Sequence, residues 1–110
     1  MRQKIIYISG KYSGDIETNI RKAREVSIAV WEAGFTALCP HLNTAHFEKD
    51  CKCSYEDFIN GDLALITNCD ALLMLYGWEE SNGAIIERTY ALERGIPIFY
   101  NINELKERYK

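Results

Sequence analysis

Ala71-Leu-Leu-Met-Leu-Tyr76, then Gly77-Trp-Glu-Glu-Ser-Asn-Gly83, then Ala84-Ile-Ile-Glu-Arg-Thr-Tyr-Ala-Leu-Glu-Arg94 is the stretch that decides the fold. Its first part is an unbroken apolar run of strand length, the pattern of a strand covered on both faces. Its second part is rich in turn residues, and its third reads as a helix that ends at Gly95. A covered strand feeding a helix belongs to a parallel α/β sheet. Glu87 then falls about one turn into a helix that opens at the carboxyl end of a central strand. Open α/β sheets bind ligands at that edge. A carboxylate there is placed to attack, to take a proton or to hold a hydroxyl group.

The same alternation runs outward in both directions. Lys4 to Ser9 reads as a first strand, with Ile6 and Ile8 on one face and Ile5, Tyr7 and Ser9 on the other. Gly10 to Gly14 is a turn, and Asp15 or Thr18 is placed to cap the next helix. That helix carries Ile20, Ala23, Val26, Ser27, Val30 and Trp31 at helical spacing and stops at Gly34. Phe35 to Cys39 is a short second strand ended by Pro40. His41 to Ser54 is a long polar loop in which a fifth strand is an open alternative. Ser54, with Asp57 three residues on, is a capping box for a helix running to about Thr67, with Phe58, Leu63 and Ile66 on its buried side. Asp70 precedes the third strand, Pro97 to Tyr100 is a fourth, and Asn103 is placed to cap a C-terminal helix. These readings predict one domain over residues 1–110: a doubly wound parallel sheet of four to five strands, Rossmann- or flavodoxin-like.

Bulk properties exclude several classes. A net charge of −3 lacks the basic stripe of a nucleic-acid polymer binder. No apolar run reaches membrane-spanning length. Met1-Arg-Gln-Lys-Ile-Ile-Tyr7 enters a strand directly, without the apolar core of a signal peptide, so a cytosolic location is expected. Cys39 and Cys69 read as small core residues. His41, His46, Cys51 and Cys53 form a His-x4-His-x4-Cys-x-Cys series, a candidate zinc set. Cys-x-Cys is not the usual zinc spacing, and free thiols in a loop are the preferred reading.

Four segments converge on the carboxyl edge. Ser9, Gly10, Lys11 and Ser13 surround the first strand-to-helix turn, where backbone N–H groups and side-chain donors suit an anion; on this segment alone a plain turn is the preferred reading. Asp62 stands among Leu63, Ala64, Leu65 and Ile66. Ser81, Asn82 and Gly83 open the last long helix, with Trp78 nearby as an aromatic surface for a base. Glu87 is flanked by Tyr90 and Ala91 on the helical wheel, and Tyr7 shares a strand face with Ser9. Asp62 and Glu87 read equally well as surface acids, Glu87 paired with Arg88 or Arg94.

Together these residues resemble the nucleoside 2-deoxyribosyltransferase-like superfamily, in its small bacterial and phage branch, from Ile5 to Tyr100. The resemblance rests on Tyr7-Ile-Ser-Gly10, on Asp62-Leu63 with Cys69-Asp70-Ala71, and on Ser81-Asn-Gly-Ala-Ile-Ile-Glu87 followed by Tyr90-Ala91. It implies that Glu87 is the nucleophile, that Asp62 manages the proton on the leaving base, and that Tyr7 positions the nucleophile. It further implies that Ser81 stands where transferases for free nucleosides carry an aspartate. A carboxylate repels a 5′-phosphate and a serine does not, so Ser81, with Ser9, Lys11 and Ser13, points to the 2′-deoxynucleoside 5′-phosphate N-hydrolases. The chain departs from the family's pattern at Ala84, Ile85, Ile86 and Arg88, where bulk threatens the sugar site.

The expected activity is therefore cleavage of the base–sugar bond of a nucleoside 5′-monophosphate through a glutamate nucleophile, without a cofactor. A deoxyribosyltransferase is the nearest alternative. A nucleotide-binding module without turnover and a structural subunit are further alternatives. The resemblance also implies a homodimer or larger homo-oligomer, with Trp31, Phe47, Tyr55 and Phe58 as candidate interface aromatics.

Overall fold

Two apolar strands build the centre of the molecule, described over residues 2–110 by a computed structural model. β1 (Ile5–Ser9) and β3 (Ala71–Met74) run side by side and parallel, Ile6 opposite Ala71 and Ser9 opposite Met74. β2 (Thr36–Leu38) flanks β1 and β4 (Ile98–Phe99) flanks β3, giving the all-parallel order β2-β1-β3-β4. Parallel strands need crossovers, which the helices supply: α1 (Ile16–Glu32), α2 (Pro40–Asn43), α3 (Tyr55–Thr67), α4 (Asn82–Glu93) and α5 (Ile102–Arg108).

Strand alternation then sorts the core into two layers. Ile6, Ile8, Ala71 and Leu73 meet Ala23 and Val30 of α1 and Leu105 of α5. Tyr7, Leu72 and Met74 meet Ile66 of α3 and Ala84 and Ala91 of α4. The expected doubly wound sheet is therefore present with four strands, helices on both faces, and a change of winding direction between β1 and β3. Asp70 anchors the start of this pair. It accepts from the Ile5 N–H at 2.7 Å and is gripped by both Arg2 terminal nitrogens at 2.9 and 3.2 Å.

Local signals act mostly as read. Asp15 caps α1 through the Thr18 N–H, Ser54 and Asp57 form the reciprocal capping box of α3, and Gly34 follows α1 at φ +93°. Several expectations are corrected. β3 stops at Met74, although Leu75 still donates to the Ser9 carbonyl at 2.8 Å; Tyr76 is fully exposed. α4 begins at Asn82, because Ser81 caps it. Asn101, not Asn103, caps α5 by accepting from the Glu104 N–H. Trp31 lies at the rim of the α1 stripe and is half exposed.

Residues 41–53 hold no strand. They form α2 and a 3-10 turn at Phe47–Lys49, consistent with Pro40 at a helix start and the absence of alternation. This segment is tied down by side chains. The Tyr12 hydroxyl accepts from the His46 N–H at 2.8 Å and donates to Glu48 at 3.0 Å. His46 pairs with Glu17 at 2.8 Å. Among the described residues no helix is long and apolar enough to cross a membrane. Trp31, Phe47 and Tyr55 are exposed, whereas Phe58 is half-buried.

Leu73 is almost fully buried between β1, β4 and α1. Leu73→Ala is expected to destabilise the protein by about 3 kcal/mol, read from urea unfolding midpoints; a loss below about 1 kcal/mol would contradict a close-packed central strand.

Candidate active site

The edge at which winding reverses carries a cleft of about 560 Å³. The loop after β1 lines it with Gly10, Tyr12 and Ser13, and the segment after β2 with Pro40, His41 and Thr44. α3 contributes Tyr55, Phe58, Ile59 and Asp62, and the loop and helix after β3 contribute Glu80 to Ala84 and Glu87. Gly10 is required by close approach: a Cβ there would lie 2.6 Å from the Leu75 side chain.

Glu87 sits at the floor, 6% exposed. Both of its carboxylate oxygens are held by β1. The Tyr7 hydroxyl donates to Oε2 at 2.9 Å, and the Ser9 hydroxyl donates to Oε1 at 2.7 Å. Tyr7 and Ser9 are two residues apart on a strand, so both hydroxyls emerge on the α4 side of the sheet. Glu87 is thus no surface acid. Arg88 turns away instead, donating to the Tyr100 hydroxyl at 2.8 Å and lying over the Trp78 ring at 4.9 Å.

Burial pushes the Glu87 carboxyl up to about 8, against the pull of the Ser9 hydroxyl, and the charge of Asp62 adds to the rise. Asp62 is also raised, first by burial, with Glu87, Tyr7 and His41 acting to lower it. Burial likewise raises the Tyr7 phenol, so that it stays a donor. Two acids facing each other in a cleft share protons, and their titration belongs to the pair.

The expected phosphate ligands divide. Gly10, Ser13, Ser81, Asn82 and Gly83 line the cleft. Ser81 Oγ accepts from the Ala84 N–H at 3.1 Å, which leaves the Asn82 and Gly83 N–H groups at the helix start without an intrahelical acceptor. Ser9 is committed to Glu87, and Lys11 pairs with Glu80 at 3.4 Å outside the lining. Trp78 does not reach the cleft, because Arg88 and Tyr100 cover it. The aromatic walls are Tyr12, Tyr55 and Phe58. Tyr55, Ile59 and Asp62 recur at i, i+4 and i+7, a helical stripe legible in the sequence. Ile85 and Ile86 are each about 40% exposed and stay out of the cleft, so only Ala84 of the substituted positions borders the site.

The candidate zinc ligands do not converge. His41 Nε2–H donates to the Lys11 carbonyl at 2.8 Å, His46 faces Glu17, and Cys51 lies against Cys53. Among the described residues no group of three or more His, Cys, Asp or Glu side chains is arranged to hold a metal. Cys39 is buried and Cys69 partly so.

A family model described as a domain of unknown function, DUF4406, matches residues 4–100. The chain belongs to that family. Its fold is shared with solved structures named as 2-deoxyribosyltransferases. It is similar to a conserved protein from Enterococcus faecalis V583, with TM-score 0.74 and 18% identity over 87% of this chain and 61% of that one. A 2-deoxyribosyltransferase from Bacillus psychrosaccharolyticus gives TM-score 0.62 and 19% identity over 86% of this chain and 69% of that one. A 2-desoxiribosyltransferase from Leishmania mexicana gives 0.65 and 20% over 86% and 61%. The DUF4406 chain thus spans 61% of the length of the first and third of these. No curated protein matches it in sequence.

The buried acid makes stability depend on pH in this DUF4406 protein. Folded Glu87 keeps its proton from the ordinary value of 4.5 up to about 8, whereas the unfolded chain releases it near 4.5. Within that window the folded state binds more protons, so its contribution to stability is full below pH 4.5 and is lost as pH rises to 8. Glu87→Gln cannot ionise. It is expected to be more stable than the wild type by about 1–3 kcal/mol at pH 8, with little difference at pH 4.5. Denaturant unfolding at both pH values checks this, and an equal difference at the two would contradict it.

Proposed function

We propose that this protein cleaves the N-glycosidic bond of a nucleoside 5′-monophosphate, with Glu87 as nucleophile and Asp62 as general acid and base. One observation carries the reading: a buried carboxylate held on both oxygens by β1 hydroxyls shares a cleft with a second acid at the carboxyl edge of the sheet. The fold shared with two enzymes named as 2-deoxyribosyltransferases supports glycosyl chemistry at that edge.

The residues suit the reaction. As the bond from C1′ to the base nitrogen breaks, its electron pair goes to the base and positive character builds at C1′. A Glu87 oxygen closes on C1′ to form a glycosyl ester, while the Asp62 proton passes to the base. Water then attacks C1′, Asp62 takes its proton, and the Glu87 carboxylate is released. The pair's proton rests on Glu87, and passing it to Asp62 arms the site, making Glu87 the ionised nucleophile and Asp62 the acid. Tyr12, Tyr55 and Phe58 give the base apolar and aromatic walls. The Asn82 and Gly83 N–H groups at the positive end of α4, with the Ser81 and Ser13 hydroxyls, suit the 5′-phosphate.

A second reading, a free nucleoside processed by transfer to an acceptor base, is favoured by charge. Glu48, Asp62, Glu80 and Glu87 line the cleft, and no lysine or arginine does among the described residues. That field opposes a phosphate dianion unless Lys11 leaves Glu80 to meet it.

The expected result is release of free base from at least one member of a panel of ribo- and deoxynucleotides. Glu87→Ala should lower the rate by at least about a thousandfold and Asp62→Asn by about a hundredfold or more, measured by chromatography of the base. Unchanged release by Glu87→Ala would reject the mechanism. Faster base exchange on free nucleosides than hydrolysis of any monophosphate would establish the second reading.

A further inference from the structure

We propose that Ser9 is a positioning residue that clamps the Glu87 carboxylate, and that it takes no part in binding a substrate phosphate. The inference rests on the reading of Glu87 as nucleophile and deepens it. Ser9 is 1% exposed, and its hydroxyl lies 2.7 Å from Glu87 Oε1. A hydroxyl carries one proton, so a serine donating to Glu87 has none left for a phosphate. Its backbone cannot drift toward the cleft mouth. The Ser9 carbonyl accepts from the Leu75 N–H at 2.8 Å, and Gly10 is pressed against the Leu75 side chain.

The clamp has two arms. With Tyr7 on Oε2 and Ser9 on Oε1, rotation of the carboxylate would break a buried hydrogen bond at either end. Hydrogen bonds to the charged form also favour ionisation, against burial. The titratable groups facing Glu87 are Tyr7 of β1 and Asp62 of α3, with His41 of α2 acting on Asp62. β3 presents Leu72 and Met74 on this side, and Arg88 of α4 is engaged by Trp78 and Tyr100. Among these groups Ser9 is the donor whose loss changes no charge and removes no ring. Losing it leaves Oε1 dry and raises the affinity of Glu87 for a proton.

The test pairs Ser9→Ala with Ser9→Thr, which keeps the hydroxyl, across a pH series on whichever nucleotide the wild type cleaves. For Ser9→Ala the acidic limb of kcat/KM should move up by about one pH unit, with activity reduced about tenfold at pH 7 and recovering to within about threefold at pH 9.5. Ser9→Thr should restore the wild-type limb. A loss equal at every pH, or a rise in KM confined to phosphorylated substrates, would overturn the proposal. A second readout needs no turnover: the carboxyl-carbon NMR titration of Glu87, assigned with Glu87→Gln. Its midpoint should rise in Ser9→Ala, or in Ser9→Cys if the alanine variant does not fold. An unmoved midpoint removes the role of Ser9 and leaves the nucleophile assignment standing. Full activity of Glu87→Ala removes the nucleophile and leaves the titration result intact.

Discussion

A carboxylate taken out of water is the constraint around which this molecule is arranged. Glu87 is nearly inaccessible, and a buried acid left without partners would cost several kcal/mol. The hydroxyls that hold its two oxygens come from one strand, two residues apart. The arrangement sets the distance between β1 and α4 and fixes which turn of α4 faces the sheet. Ser81 caps α4 one and a half turns before Glu87, so the open N–H groups and the carboxylate border the same cleft.

The remaining walls follow from connectivity. Where the sheet changes winding direction, the loops after β1 and β3 separate and leave a crevice. The polar segment after β2 closes its far side. That segment is held by polar contacts from the Tyr12 hydroxyl to the His46 N–H and Glu48 and from His46 to Glu17. His41 joins it to the β1 loop through the Lys11 carbonyl, and the apolar bodies of Tyr12 and His41 meet edge to face at 5.5 Å. The result is a site with aromatic walls, an acidic rim and donors concentrated at one helix end. Such a site is suited to an uncharged ring and to groups that accept from backbone N–H, as the proposed function requires.

Elements with a strong periodic or capping signal were legible in advance. The alternation of Ile6, Tyr7, Ile8 and Ser9 assigns the two faces of β1 correctly, and Asp15, Ser54 and Gly34 mark helix ends as expected. The misplaced residues share a different origin. Trp78 looked available to a base until Arg88, ten residues later, and Tyr100, twenty-two residues later, covered it. Ser9 and Lys11 have the composition of an anion loop, yet partners 78 and 69 residues away claim them first. The His41 to Cys53 series has metal-ligating side chains, but the backbone turns them toward different neighbours. Asn103 lost the cap of α5 to Asn101 because β4 ends at Phe99 and the chain turns earlier.

The sequence by itself determined the alternation of strands and helices, the parallel sheet, and the edge at which Glu87, Asp62, Tyr7 and Ser81 would gather. Those features depend on neighbours a few residues apart, through side-chain period, capping and turn chemistry. Only the tertiary structure decided what each polar side chain does at that edge. Hydroxyls, carboxylates and cations take the best partner within about 3 Å, and most of those partners lie far along the chain. Packing made Glu87 a buried acid rather than a surface one, turned the Ser9 hydroxyl onto Glu87 and out of the cleft lining, and turned Ile85, Ile86 and Arg88 out of the way.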